Sequence, residues 1–205
     1  MIKGIKICGV SDVETLEFII NHPNPPMFIG FITNYEKSKR FVDYEKLKKL
    51  LNIEKKKINF VSVMVNPNDE FLKKIEDLNF DYYQLYNVSP ERTKNIKKNK
   101  SIKIISAITI NNEKDVDKYQ EYLDISEIIL FDGKGYEKSI GFDHSLLKDL
   151  PLSFNKMIAG DIKIEDISKF KDKDFIIDMS GSLENNEGKK DLKKIDTLLN
   201  LIKKI

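Results

Sequence analysis

Three side chains that could take part in catalysis each follow a short apolar run. Cys8, the only cysteine in the chain, ends the first run, and Gly9 follows it at once. Asp132 and Asp178 end two later runs in the same way. A thiol or carboxyl group between a strand and a turn can serve as a catalytic group. A lone cysteine in an apolar strand is more often a small buried hydrophobe, so the case for a catalytic role of Cys8 depends on the other candidate residues.

Further polar or small residues come after other apolar runs. Arg40 is one of two arginines in a lysine-rich chain, and a guanidinium group binds a planar carboxylate in a fork that lysine lacks. Gln84 lies near the end of another run. Gly160 follows another apolar run, and the backbone N–H groups of Ser180, Gly181 and Ser182 are suited to binding a phosphate. Each also has an ordinary interpretation, as a surface charge, a hydrogen bond within a sheet or a plain turn.

The composition limits the possible partners. The chain has 205 residues, 40% of them hydrophobic, and a net charge of +2 with both signs interleaved, so we expect no nucleic-acid partner. No apolar run approaches the roughly 18 residues of a membrane helix, and nothing resembles a signal peptide, so we expect a cytoplasmic protein. His22 and His144 follow no metal-ligand spacing, and we expect no metal site.

Short apolar runs alternate with lysine- and glutamate-rich segments of helical spacing along the whole chain. The predicted strands span residues 2–8, 27–32, 58–65, 80–86, 102–108, 125–131, 156–159 and 175–179. The predicted helices span residues 12–21, 43–51, 66–78, 89–98, 112–122, 143–150, 163–170 and 189–204. Ser11 or Asp12 can cap the first helix, with Glu14 completing a capping box after Ser11.

Eight β–α units at a spacing of about 26 residues predict one (β/α)8 barrel over residues 1–205. Several strands are apolar on consecutive residues, which is typical of parallel strands buried on both faces. A doubly wound open sheet is the alternative, although no Gly-x-Gly-x-x-Gly follows the first strand. In a barrel, all the candidate residues would meet at the carboxyl-terminal ends of the strands.

The sequence resembles the phosphoribosylanthranilate isomerase family of tryptophan biosynthesis along almost its whole length. The similar segments are residues 6–10 (Lys-Ile-Cys-Gly-Val), 30–31, 38–41, 63–66, 84–85, 130–132, 142–143, 159–160, 178–184 and 188–191. The first and last segments are fairly specific, and all of them occur in the family's order.

The resemblance implies an Amadori rearrangement, in which N-(5-phosphoribosyl)anthranilate, an aminoaldose, becomes an aminoketose. It makes Asp132 the general acid, Cys8 the general base and Arg40 the residue that binds the anthranilate carboxylate. Gly160, Ser180, Gly181 and Ser182 would bind the phosphate, and Gln84 would contact the substrate. The reaction needs no cofactor, and the only partner implied is a small sugar phosphate. Whether the chain is a monomer or a homodimer stays open.

These roles require two opposite shifts in pKa. Asp132 keeps its proton near neutrality only if burial or a nearby charge raises its pKa. Cys8 needs a shift toward the thiolate. Environments that separate two pKa values in this way divide the roles of acid and base.

The sequence departs from the family pattern at several positions. These are residues 84–87 (Gln-Leu-Tyr-Asn in place of the usual His-Gly), Asp161 at an expected glycine, Gly181 and Ser182 in swapped order, residues 138–141 without the usual glycines, and His144 at a tryptophan position. We therefore expect phosphate binding to be weak or differently built. Two alternatives stay open: a related sugar-phosphate isomerase, and a non-enzymatic barrel that acts as a binding partner.

Overall fold

Eight parallel strands close into a barrel in chain order, with β8 hydrogen-bonded back to β1. The computed structural model describes residues 2–133 and 140–204. Residues 138 and 139, part of the segment 138–141 that departs from the family pattern, lie outside the described residues. The strands are β1 (Gly4–Cys8), β2 (Phe28–Ile32), β3 (Asn59–Val65), β4 (Tyr82–Tyr86), β5 (Lys103–Thr109), β6 (Ile128–Asp132), β7 (Lys156–Ile158) and β8 (Phe175–Met179). The predicted (β/α)8 barrel is confirmed, and the open sheet is excluded.

Within residues 2–133 and 140–204, five α-helices and several 3₁₀ helices lie between or after the strands. The α-helices are α1 (Val13–Asn21), α2 (Tyr44–Leu51), α3 (Asp69–Lys74), α4 (Pro90–Lys100) and α5 (Leu192–Ile202). The segments Glu113–Tyr122, His144–Leu147 and Ile164–Phe170 are 3₁₀ helices where α-helices were predicted. Glu113–Tyr122 buries only Asp115 and Val116, so little packing supports a regular α-helix there.

Side chains at the helix starts fix where the chain turns away from the barrel mouth. Asp12 accepts a hydrogen bond from the Thr15 backbone N–H and caps α1, so the capping box predicted from Ser11 does not form. Asp43 and Ser89 cap α2 and α4 in the same way, and Pro90 occupies the first turn of α4.

The core has two layers, one between barrel and helices and one inside the barrel. The inner layer is apolar at its centre, with Phe28, Val61, Ile105 and Leu130 fully or almost fully buried. Its buried polar side chains near the carboxyl-terminal ends of the strands include Lys6, Gln84, Asp132 and Asp178. Burying charged groups is costly unless they are paired, so these residues mark the site. Among the described residues no helix is long and apolar enough to cross a bilayer.

Candidate active site

One cleft opens at the carboxyl-terminal ends of the strands and encloses about 720 Å³, its open mouth included. Eight of the nine candidate residues named from the sequence line it: Cys8, Arg40, Asp132, Gly160, Asp178, Ser180, Gly181 and Ser182. The barrel therefore brings together side chains from β1, β6 and the loops after β2, β7 and β8. A small-molecule site is expected in such a place.

Cys8 is the last residue of β1 and is 8% exposed at the floor of the cleft. It pairs with Gly30 of β2, where an added Cβ would lie only 3.0 Å from Sγ. Burial raises the pKa of the thiol above its ordinary value, although the Lys6 ammonium acts in the opposite direction. The expected shift of the Cys8 pKa toward the thiolate is therefore wrong, because desolvation outweighs the neighbouring cation.

Lys6 lies directly below Cys8 and forms an ion pair inside the barrel. Its Nζ donates to Oδ2 of Asp178 at 2.7 Å, and its side chain is 0% exposed. The other carboxylate oxygen of Asp178, Oδ1, is buried without a hydrogen-bond partner among the described residues, and Asp178 lines the cleft. The sequence interpretation did not assign Lys6 to the site. The signal was the two-residue strand period, which puts Lys6 and Cys8 on one face.

Asp132 ends β6 and is 4% exposed. Burial raises the pKa of its carboxyl group to about 7, against the lowering effect of a hydrogen bond from Tyr86. The Tyr86 hydroxyl donates to Asp132 Oδ2 at 2.8 Å. Burial and the neighbouring Asp132 keep the pKa of Tyr86 well above its usual value, so the phenol remains a donor. Asp132 is thus placed to hold and release a proton near neutral pH.

Gln84 is fully buried below the cleft and does not line it. Its Nε2 donates to the Tyr86 hydroxyl at 3.3 Å, and so Gln84 reaches Asp132 only through Tyr86. The direct substrate contact predicted for Gln84 stays a prediction, and Gln84 lies below the residues that line the cleft. The reason is its place two residues before Tyr86, one level deeper in the barrel.

Arg40 leaves the loop after β2 and crosses the rim of the cleft. Its Nε and Nη2 donate to both carboxylate oxygens of Glu184, the second at 3.1 Å. Lys190, whose side chain is almost fully buried, donates to the same carboxylate at 3.2 Å. A Cβ at Gly9 would overlap the Arg40 side chain, so glycine at this position lets the arginine lie over the end of β1. The guanidinium group is held in one orientation toward the cleft.

The loops after β7 and β8 form the remaining wall. Ser180 Oγ donates to the Cys8 carbonyl at 3.0 Å, which ties the end of β8 to the end of β1. Ser182 Oγ is buried without a hydrogen-bond partner in the described part of the chain. Asp161 lines the same wall with a left-handed backbone, φ 50°, next to Gly160 at φ 96°. A carboxylate thus lies beside the donors predicted to bind phosphate. No group of three or more metal-ligating side chains occurs within residues 2–133 and 140–204.

Comparisons with known proteins agree on one family. Residues 5–201 match the family model described as N-(5'phosphoribosyl)anthranilate (PRA) isomerase. The chain is 29% identical to the N-(5'-phosphoribosyl)anthranilate isomerase of Agrobacterium fabrum, over 98% of this chain and 96% of that protein. It is 34% identical to the enzyme of the same name from Staphylococcus haemolyticus, over 97% and 98% of the two chains.

Solved structures show the same relationship. The phosphoribosylanthranilate isomerase of Thermotoga maritima superposes with a TM-score of 0.87 at 25% identity, over all of both chains. A complex of phosphoribosylanthranilate isomerase with reduced 1-(o-carboxyphenylamino)-1-deoxyribulose 5-phosphate gives a TM-score of 0.84 at 25% identity, again over all of both chains.

Proposed function

Because this chain belongs to the phosphoribosylanthranilate isomerase family, we propose that it rearranges N-(5'-phosphoribosyl)anthranilate with one acid and one base across the barrel mouth. The acid is Asp132 and the base is Cys8. The observation that carries this assignment is their convergence: side chains 124 positions apart in the sequence line one cleft, and the pKa of the carboxyl group is about 7.

Asp132 acts in the first step, the opening of the ribose ring. Its proton passes to the ring oxygen while the bond between that oxygen and C1 breaks, and the bonding electrons stay with the oxygen. The nitrogen lone pair then forms a C1=N double bond, which leaves an iminium ion. A positioned acid contributes about 10²- to 10⁴-fold to such a step.

Cys8 acts in the second step, which removes the proton from C2. The electrons of the C2–H bond form a C1=C2 double bond, those of the C=N bond return to nitrogen, and an enolamine results. The enolamine then becomes the ketone as C1 gains a proton and the C2 hydroxyl loses one. Only the thiolate can accept the C2 proton, so the fraction of ionised Cys8 limits this step.

The two pKa values predict an unusual distribution of protons. Between about pH 7 and the pKa of the thiol, the predominant form has a neutral thiol and an ionised carboxylate. The reactive form, with a thiolate and a carboxylic acid, holds the same number of protons and is a minor species. kcat/KM is therefore flat between the two pKa values and falls on either side. The lower pH limit of this flat region of kcat/KM lies near pH 7 and is set by the pKa of Asp132.

Removal of the Tyr86 hydroxyl is expected to move that lower limit. In Tyr86→Phe the carboxylate of Asp132 loses a hydrogen bond, and its pKa rises. Such bonds are worth roughly 1.5–3 kcal/mol, so the limit of kcat/KM should move up by about one to two pH units. Tyr83→Phe is the matched control, since Tyr83 lies on the same strand but packs among the outer core residues. If both variants keep the wild-type limit, Tyr86 does not act on Asp132.

Arg40 is proposed to bind the anthranilate carboxylate with the N–H groups that Glu184 leaves available. Arg40→Lys keeps the charge but not the fork, and KM should rise roughly 10- to 100-fold while kcat changes little. Steady-state kinetics with Arg92→Lys as the control measures this, because Arg92 pairs with Asp69 away from the cleft. An unchanged KM would favour a substrate without the aromatic acid, that is, a related sugar-phosphate isomerase.

The phosphate is proposed to bind between the loops after β7 and β8. The Ser182 hydroxyl and the backbone N–H groups around Gly160 and Gly181 supply donors, whereas the Asp161 carboxylate opposes the anion. This opposition is the observation behind the second candidate, a barrel that has lost catalysis and serves as a binding partner.

The function is tested by mixing the purified protein with N-(5'-phosphoribosyl)anthranilate and following anthranilate fluorescence. We expect the fluorescence to decay at a rate proportional to protein concentration. The same gene should restore growth of a tryptophan auxotroph that lacks this isomerase. Absence of both effects would favour the non-enzymatic candidate.

A further inference from the structure

We propose that the buried Lys6–Asp178 pair sets the ionisation of Cys8. The Lys6 ammonium group stabilises the thiolate, and the Asp178 carboxylate opposes that stabilisation. The inference deepens the proposed function, on which its catalytic meaning rests. It adds two residues to the acid–base machinery without giving either of them contact with the reacting atoms.

Strand register brings the three groups together. Lys6 and Cys8 are two residues apart on β1 and both face the barrel interior. Lys6 is directly opposite Asp178 in the β1–β8 ladder. A Cβ placed on Gly30 would lie 3.0 Å from Cys8 Sγ and 3.1 Å from Lys6 Nζ. The sulfur and the ammonium group are therefore neighbours over a residue that has no side chain to separate them.

The pair is difficult to explain as a stabilising salt bridge. Removing two charges from water costs several kcal/mol per ion, and their attraction recovers this cost only when every polar atom is satisfied. Asp178 Oδ1 is buried and has no hydrogen-bond partner among the described residues. A pair of apolar residues would fill this space at lower cost, so packing does not account for the charges. The position of the two charges beside the Cys8 thiol accounts for them.

Other charged and titratable groups also face Cys8 from the elements around it. They are Arg40 after β2, Tyr86 on β4, Asp132 on β6, and Glu184 and Lys190 after β8. Lys190 and Arg40 both donate to Glu184, whose single negative charge offsets part of their two positive charges. Lys6 has the strongest charge effect on the thiol and lowers its pKa, and Asp178 has the next strongest and raises it. The two members of the pair thus act on Cys8 with opposite signs.

The single cysteine makes the proposal testable without an activity assay. The rate of alkylation by iodoacetamide, measured against pH, reports the pKa of Cys8 directly, because only the thiolate reacts. In Lys6→Met the thiolate loses its nearest cation, and alkylation at pH 8 should slow about 10-fold or more. In Asp178→Asn the cation remains without its counter-ion, and alkylation at pH 8 should become several-fold faster. Lys156→Met is the matched control, a buried lysine at the amino-terminal end of β7 and outside the cleft.

Loss of Lys6 leaves a buried carboxylate unpaired and can prevent folding. The double variant Lys6→Met/Asp178→Asn removes both charges and tests the same claim, since its thiol pKa should lie well above that of Asp178→Asn alone. Equal thiol pKa values in those two variants, or shifts of the same sign in the two single variants, would overturn the proposal. If the opposite shifts appear but wild-type protein does not turn over the substrate, the pair is confirmed and the proposed function fails.

Discussion

Replacing Asp132 with asparagine is expected to lower kcat on N-(5'-phosphoribosyl)anthranilate by about 10³-fold. Asparagine has nearly the same shape and can still accept the Tyr86 hydrogen bond, but it has no proton to give to the ring oxygen. General-acid catalysis contributes about 10²- to 10⁴-fold, which sets the expected loss. The change of slope near pH 7 should disappear, and residual activity should instead rise continuously with pH until Cys8 ionises. Retention of more than a tenth of wild-type kcat would remove Asp132 from the mechanism.

The stability of Asp132→Asn separates lost chemistry from lost folding. The folded-state pKa of Asp132, about 7, lies above that of the unfolded chain. The contribution of this group to stability is therefore largest at low pH and is lost as the pH rises through about 7. Asparagine never ionises, so at pH 8 the variant should be at least as stable as wild type in urea unfolding. A marked loss of stability would mean that the activity measurement reports damage to the barrel.

Replacing Cys8 with serine is expected to reduce kcat by a similar factor, about 10³-fold. The hydroxyl group does not ionise at accessible pH, and so the base for the C2 proton is lost while the volume against Gly30 is nearly unchanged. Affinity for reduced 1-(o-carboxyphenylamino)-1-deoxyribulose 5-phosphate should change less than about threefold, since this ligand needs no proton transfer. A serine variant with near-wild-type turnover would show that another group removes the proton.

The alternation of residues along the chain was enough to predict the barrel and most of the cleft. Several strands are consecutive apolar runs, and a barrel places the residue at the end of each strand at one rim; Cys8 and Asp132 were found in this way. The 3₁₀ helices were not predictable, because the spacing of apolar residues in Glu113–Tyr122 does not reveal how few of them are buried.

The sequence did not predict the site contacts between residues that are distant along the chain. Lys6 meets Asp178 across 172 positions, and Arg40 meets Glu184 across 144. Both pairs depend on the register between β1 and β8 and on the course of the rim loops. The direction of the Cys8 pKa shift failed for the same reason, since it depends on the balance between burial and one buried cation.

The most direct test of the account is a crystal structure of this protein with reduced 1-(o-carboxyphenylamino)-1-deoxyribulose 5-phosphate. We expect Cys8 Sγ within about 3.5 Å of the sugar C2, and a carboxyl oxygen of Asp132 within about 3 Å of the oxygen that closes the ribose ring in the substrate. A ligand bound with its sugar turned away from either group would contradict the assignment of Cys8 as base and Asp132 as acid.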